Sequence, residues 1–283
     1  MRFHVLFNPH SGNGDRMRVK RLYDWLDGNE VIRHDVLVES GDGYSNFYNN
    51  LQKDDAIMLL GGDGTLNRFI NYIKGDRRGH DLYYYPVGTG NDFWKDIGKT
   101  EDDDPVCINK YVENLPSLEI NGQVYLFING IGAAIDGYCC AEGNRNKHNG
   151  KKVNYTAIAI KGLLGRYKPQ NVEVSVDGAF IELKKVWLAP VMLGKFFGGG
   201  MMPAPYQDRL NSTRTLSLCM MKGCSGLHAL AIFPKLFKGE HTKKKKYVTI
   251  CEGREFTVKM ERPYDLQIDG ETIENVESFT VKF

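Results

Sequence analysis

Ala56-Ile57-Met58-Leu59-Leu60-Gly61-Gly62-Asp63-Gly64-Thr65 decides the fold. Five consecutive apolar residues without polar alternation are the pattern of a strand covered on both faces, as in a parallel sheet. The run stops at glycine, and Thr65 is placed to cap a helix over residues 66–73. The same order recurs on either side. Phe3 to Phe7 is a short apolar run ending at Asn8-Pro9, followed by helical spacing of Met17, Val19, Leu22, Trp25 and Leu26 over residues 15–26. Residues 31–38 read as a strand and 44–51 as a helix. Residues 82–85 give a further strand, closed by Pro86-Val87-Gly88-Thr89-Gly90-Asn91-Asp92 ahead of a helix from Phe93. Strand, glycine loop and helix in repetition predict an α/β domain over residues 1–117, with its ligand site at the carboxyl ends of the strands.

The pattern changes near residue 117. Residues 118–120 and 124–128 flank Asn121-Gly122, a strong hairpin signal. Val172 to Val176 alternates and meets Asp177-Gly178, and 180–193 follows as another extended run. Further strands are expected at 216–221, 246–251, 255–260, 265–268 and 279–283, interrupted by one helix over about 153–164. Residues 118–283 therefore read as a mainly β sandwich domain, with the last strand expected to pack back on the first domain.

Composition narrows the class. Lys plus Arg number 37 and Asp plus Glu 35, a formal net charge of +2, so no strong field points to nucleic acid. Glycine, at 31 of 283 residues, exceeds the roughly 7% of average usage and has no collagen-like period. No run approaches the roughly 20 apolar residues of a membrane helix. The amino terminus has too short an apolar stretch for a signal peptide. The six cysteines lack the C-x-x-C spacing of zinc sites, and Cys139-Cys140 reads as a buried pair of thiols in a reducing compartment. The expected location is the cytoplasm, with transient membrane association.

The chemistry is concentrated in three loops. Gly61-Gly62-Asp63-Gly64-Thr65 joins a buried strand to a helix, which lets backbone amides and a helix amino end approach phosphate oxygens. An aspartate beside phosphates is repulsive unless a cation neutralises both, so Asp63 implies Mg²⁺. Asn8-Pro9-His10-Ser11-Gly12-Asn13-Gly14 and Gly88-Thr89-Gly90-Asn91-Asp92 follow other strands, and in a doubly wound sheet such loops share one edge. Together they offer three hydroxyls (Ser11, Thr65, Thr89) and two carboxylates (Asp63, Asp92). Neither the Walker pattern nor the dinucleotide fingerprint is present.

NPHSG at 8–12, GGDGTLN at 61–67, PVGTGNDF at 86–93, FGGGM at 197–201 and QIDGE at 267–271 together resemble the diacylglycerol kinase catalytic-domain family, its soluble bacterial lipid kinases above all. The resemblance covers nearly the whole chain. It implies a Rossmann-like nucleotide domain followed by a β-sandwich, with ATP in the interdomain cleft. It also implies an ATP-dependent kinase that phosphorylates a lipid hydroxyl at a membrane surface, most plausibly diacylglycerol to phosphatidic acid, and a homodimer. By the same resemblance Asn8, Pro9, His10, Ser11 and Gly12, then Gly62, Gly64, Thr65, Leu66 and Asn67, and Thr89, bind the nucleotide. Asp63 and Asp92 are the acidic positions near Mg²⁺ and phosphate, and Glu271 is the general base. Two other readings accompany this one. NAD kinases carry a similar GGDGT loop, and a nucleotide-binding regulator without catalysis is motivated by departures from the family pattern. Asn13 stands where many relatives have lysine, with Arg16 as a candidate substitute, and Arg68 stands where they have glutamate. Asp208 to Arg214 lacks the family's acidic metal segment. Lys243 to Lys246 could attract an anionic bilayer, and Phe196 to Met202 could line an acyl path or pack in the core.

Overall fold

The computed structural model describes residues 1–7, 16–36, 45–88 and 90–283. The chain divides into two compact units, Met1–Leu115 and Pro116–Phe283.

The first unit runs β1 (Arg2–Phe7), α1 (Arg16–Trp25), β2 (Glu30–Asp35), α2 (Ser45–Asn49), β3 (Asp55–Gly61), α3 (Asp63–Ile73), β4 (Asp81–Pro86), α4 (Asp92–Asp96), β5 (Val106–Cys107) and α5 (Asn109–Val112). Its sheet has the order β2-β1-β3-β4-β5. The first four strands are parallel, and β5 closes the edge antiparallel to β4. All seven residues of β3 are buried, as its unbroken apolar run requires. At the amino edge, buried Asp55 ties β3 to β1, accepting from Arg2 Nε at 2.8 Å and Nη2 at 2.6 Å. The chain moves outward from β1 to β2, then crosses to β3. Strand order therefore reverses between β1 and β3, the position where such sheets bind ligands at their carboxyl ends. The loop after β1 lies outside the described residues; those after β3 and β4 are described except at Thr89.

The second unit contains β6 (Ser117–Ile120), β7 (Gln123–Leu126), β8 (Gly130–Gly132), α6 (Ile135–His148), α7 (Tyr155–Lys161), β9 (Gln170–Val176), β10 (Ala179–Leu188), β11 (Val191–Met192), β12 (Leu216–Lys222), α8 (Gly226–Leu236), β13 (Val248–Gly253), β14 (Glu255–Ile268) and β15 (Glu271–Lys282). The two strands expected at 255–260 and 265–268 are one, β14. Its first part pairs with β9 and its last residues with β8, so the path β14-β8-β11-β12-β10-β9 returns to β14. The register shifts between Lys259 and Tyr264, around Pro263, which has no amide hydrogen to give to a ladder. That bend lets one strand serve both layers. The strand partners of β15 are β14 and β6, both in the second unit.

Three helices rather than one lie among these strands. α7 occupies much of the expected span 153–164. α6 was hidden by its glycines, which its packing requires: a Cβ at Gly137 would stand 1.5 Å from the Asp265 carbonyl oxygen, and one at Gly143 would stand 2.5 Å from the Tyr155 ring. α8 was hidden by Pro234 and by an apolar character that extends around the helix. No helix among the described residues is long and apolar enough to cross a membrane.

The contact of α6 with β14 is rigid backbone on backbone and has no slack for a methyl group. Gly137→Ala should cost about 3 kcal/mol or more, read as a lower denaturation midpoint. Gly150→Ala, just beyond α6 with open space where its Cβ would stand, should cost less, about 1–2 kcal/mol, through its positive φ alone.

Candidate functional site

The loops after β3 and β4 meet through backbone. A Cβ on Gly88 would fall 2.8 Å from the Gly62 Cα, so side chains larger than hydrogen would separate the two turns. Val87 donates its amide to the Gly61 carbonyl at 3.0 Å, and the Tyr84 hydroxyl reaches the same carbonyl at 3.3 Å. Asn91, at φ 50°, donates its side-chain amide to the Gly88 carbonyl at 2.7 Å, which closes the second turn.

Asp63 couples the two. Its carboxylate accepts from the amide of Asp92 at 2.8 Å and from that of Phe93 at 3.0 Å. The carboxylate is favourable at the head of its own helix and also meets the positive end of the next. The sequence reading assigned the compensation of its charge to Mg²⁺ alone; the structure supplies a protein partner first. The cap of α3 is Gly62, in extended conformation and with no side chain to contribute. Helix α3 therefore begins at Asp63, and Thr65, expected as the cap, is buried within its first turn. A Cβ at Gly61 would strike the Thr65 side chain at 2.6 Å, which explains the first glycine of the loop.

The predicted nucleotide residues fall into distinct settings. Gly62 and Gly64 are half-buried at the start of α3. Leu66 is a core residue with no exposed surface. Asn67 is buried, and both its carbonyls accept from Asn71 Nδ2, at 3.0 and 3.2 Å. Asp92 is buried in the first turn of α4. Arg68 is exposed on α3. Asn8, Pro9, His10, Ser11 and Gly12, with Asn13 and Thr89, lie outside the described residues, as does the side chain of Arg16. A cation that the sequence reading missed is Arg18: from α1 its Nη1 donates to the Pro86 carbonyl at 2.7 Å. Its signal was its place one turn inside a helix that follows the first loop.

Asp63 and Asp92 form an oxygen-only donor pair on adjacent loops. Mg²⁺ takes one or two carboxylates and completes its shell with phosphate oxygens and water, so this pair fits it.

In the second unit Glu271 opens β15 and pairs across the hairpin with Ile268. The turn residues Asp269 and Gly270 both have positive φ, 46° and 96°. Asp269 is buried and accepts three amides: Ile128 at 2.6 Å, Asn129 at 2.9 Å and Gly130 at 3.0 Å. Buried Arg209 donates to the Ile128 carbonyl at 3.0 Å and to Asn129 Oδ1 at 3.2 Å, which fixes the segment that holds Asp269. The loop expected to lack the family's metal ligands is closed by its own amide side chain: Asn211 donates to the carbonyls of Asp208 and Thr215 at 2.6 and 2.9 Å. Phe197 and Met201 exchange two backbone hydrogen bonds around three glycines of positive φ, and buried Phe197 packs with Met192 and Ala204, the core alternative for that loop.

Asp136 was missed altogether. It is buried in the first turn of α6, and its Oδ2 has no hydrogen-bond partner. Burial pushes its carboxyl well above the usual range, so it is held as the neutral acid. Burial pushes the Cys140 thiol up to about 12, so it stays protonated and unreactive. The available signal was a carboxylate inside the otherwise weakly charged run 125–141.

Paired glycine turns, locked by a carboxylate, stand at the carboxyl edge of a parallel sheet, where α/β folds of this kind bind ligands. The comparisons with known proteins give the family. The model of the diacylglycerol kinase catalytic domain matches residues 2–116, and that of the YegS C-terminal NAD kinase beta sandwich-like domain matches residues 129–280. The chain belongs to the family built from these two domains, which makes it a phosphotransferase of the lipid kinase class. It is 24% identical to a diacylglycerol kinase of Bacillus subtilis (strain 168), over 95% of this chain and 89% of that one. It is 26% identical to a diacylglycerol kinase of Mycobacterium tuberculosis (strain ATCC 25618 / H37Rv), over 77% and 70% respectively. A crystal structure from Bacillus anthracis str. Sterne has the same fold, with TM-score 0.71, 17% identity and coverage of 99% of this chain and 91% of that one.

Two measurements test these arrangements. Asp63→Ala should lower folding stability by about 1–2 kcal/mol through loss of the α4 cap, whereas Asp63→Asn, which keeps one oxygen acceptor, should lose less; chemical denaturation separates them. For Asp136 the folded state keeps a proton that the unfolded chain releases above about pH 4. Its raised value means that stability is greatest below that pH and falls as pH rises, by up to about 1.4 kcal/mol per pH unit. Asp136→Asn should flatten that slope in denaturation midpoints measured against pH.

Proposed function

We propose that this chain transfers the γ-phosphoryl group of ATP to the hydroxyl of a diacylglycerol, giving phosphatidic acid at a membrane surface. The observation that carries the reading is the junction of Gly62 with Gly88 under the Asp63 carboxylate. It leaves the amino end of α3 without a side-chain cap, available to phosphate oxygens. Family membership supports a kinase, and relatives named diacylglycerol kinase support this acceptor.

In this reading Gly62, Gly64 and Thr65 present backbone amides to the phosphates, and residues 8–12 and Thr89 complete the nucleotide contacts. Asp63 and Asp92 would hold Mg²⁺, which when bound neutralises charge on the phosphates. Because Asp63 also caps α4, its place is set before nucleotide arrives. Glu271 accepts the proton of the acceptor hydroxyl. The hydroxyl oxygen bonds to the γ-phosphorus, the bond from that phosphorus to the bridging oxygen breaks, and ADP departs with its electrons. Asp269, fastened by three amides, keeps the neighbouring Glu271 from wandering.

Incubation of the full chain with γ-labelled ATP, Mg²⁺ and either diacylglycerol or NAD tests the reading. Label is expected in phosphatidic acid; NADP formation in its place would overturn the assignment. Glu271→Gln should lower turnover at least about 100-fold while ATP affinity stays unchanged, and equal turnover would remove its role as base.

A further inference from the structure

Helix α8 departs from the pattern of a surface helix. Its inner residues Ala229, Ile232 and Leu236 are buried with Leu163 and Trp187. Its outer stripe is Leu227, Ala231, Pro234 and Phe237, at spacings of four, three and three, and all four are exposed. A helix bathed in water ordinarily carries polar residues on that stripe. Leu227 is 72% exposed and Leu164, in the turn before β9, is 61% exposed. The two turns touch, since a Cβ at Gly226 would stand 2.4 Å from the Leu163 carbonyl oxygen. Leu164 is thus a further exposed apolar residue close to the start of α8.

The chain leaving the helix is basic. Between residues 226 and 247 there are six lysines, at 235, 238 and 243–246, and one carboxylate, Glu240, a difference of 6 − 1 = +5 in a chain whose total is +2. Glu240 lies 3.4 Å from Lys243 Nζ, and Lys243 to Lys246 are all exposed. This segment is fastened to the end of the helix. Met202 donates its amide to the Leu236 carbonyl at 2.9 Å, His241 Nε2 pairs with the Pro203 carbonyl at 2.9 Å, and Val248 donates to the Lys244 carbonyl at 2.9 Å. The apolar stripe and the lysines thus belong to one hydrogen-bonded segment, and both are exposed.

We infer that the outer face of α8 and the lysines that follow it dock this chain on a bilayer of anionic lipid. An apolar helix face enters the boundary between headgroups and acyl chains, and neighbouring lysines add attraction to acidic headgroups. A second copy of the chain is the poorer occupant, because it would bring two surfaces of the same charge together. The purpose of the docking rests on the lipid kinase reading: an enzyme whose acceptor is dissolved in a bilayer must reach that bilayer.

Sedimentation of the full chain with vesicles, without ATP, tests the inference. Vesicles of phosphatidylcholine mixed with phosphatidylglycerol should bind the wild type about tenfold or more tightly than phosphatidylcholine alone. Replacing Lys243, Lys244, Lys245 and Lys246 together by Gln should remove most of that preference. Leu227→Ser with Phe237→Ser should weaken the binding that persists at high salt. Both variants should melt as the wild type does and phosphorylate a short-chain diacylglycerol in nonionic micelles within about twofold of it, since none of these residues is among those assigned to the nucleotide, the metal or the acceptor hydroxyl. Unchanged vesicle binding in both variants, equal wild-type binding to the two lipids, or self-association that Leu227→Ser abolishes would overturn the docking face. Lipid left unlabelled in micelles while the vesicle differences persist would sustain the docking face and remove the kinase reading instead.

Discussion

The first unit depends on a carboxylate accepting two backbone amides. Asp63 belongs to the helix after β3 and holds the amides of Asp92 and Phe93, at the head of the helix after β4. Charge-assisted bonds of this kind are about twice as strong as neutral ones. They fix the distance between two loops that are otherwise made of glycine. Glycine permits the backbone approach of Gly62 to Gly88 but contributes nothing to hold it. Removing the carboxylate would leave the Val87 amide and the Tyr84 hydroxyl, both on the Gly61 carbonyl, as the ties between the two turns.

The second unit repeats the device. Asp269 also precedes a glycine, is buried, and accepts the amides of Ile128, Asn129 and Gly130. In each case the aspartate is engaged by backbone and a nearby residue stands on a fixed base, although only Gly270 turns the chain, since Gly64 lies within α3. That residue is Thr65 in the first unit and Glu271 in the second. A carboxylate that accepts amides keeps lone pairs for a further partner, so anchoring and metal binding at Asp63 are compatible.

Legibility followed the physics of each element. β3 was readable because a strand buried on both faces needs an unbroken apolar run, and the loop after it because glycine and aspartate stand together where backbone must approach backbone. Capping was misread: Thr65 is a good cap by residue type, but the close contact of its side chain with Gly61 places it inside the helix. Helix α6 was invisible since Gly137 and Gly143, which read as breakers, are there to admit the Asp265 carbonyl and the Tyr155 ring. The bend that makes β14 one strand is set by pairing to both β8 and β9, long-range contacts that no local pattern records. Glu271 is assigned only by resemblance, because a hairpin turn followed by glutamate is common chemistry on any surface.

The segment from Ala134 to Gly137 gathers features that oppose folding. Ala134 has φ 71° and ψ −121°, a conformation that costs of order 1–3 kcal/mol for a residue with a Cβ. Two residues on, Asp136 buries a carboxyl with an unpaired oxygen, and next to it Gly137 admits no side chain at all. Such a concentration persists only where the surroundings overdetermine it. β8 pairs with β14 through Gln267 and Ile268, immediately before the turn that presents Glu271, and α6 lies on β14 at Asp265. Relaxing Ala134 would rotate the start of α6 and move the Gly137 contact along the same strand. The strain is therefore confined beside the hairpin, and the rigidity that confines it also holds Glu271 in place.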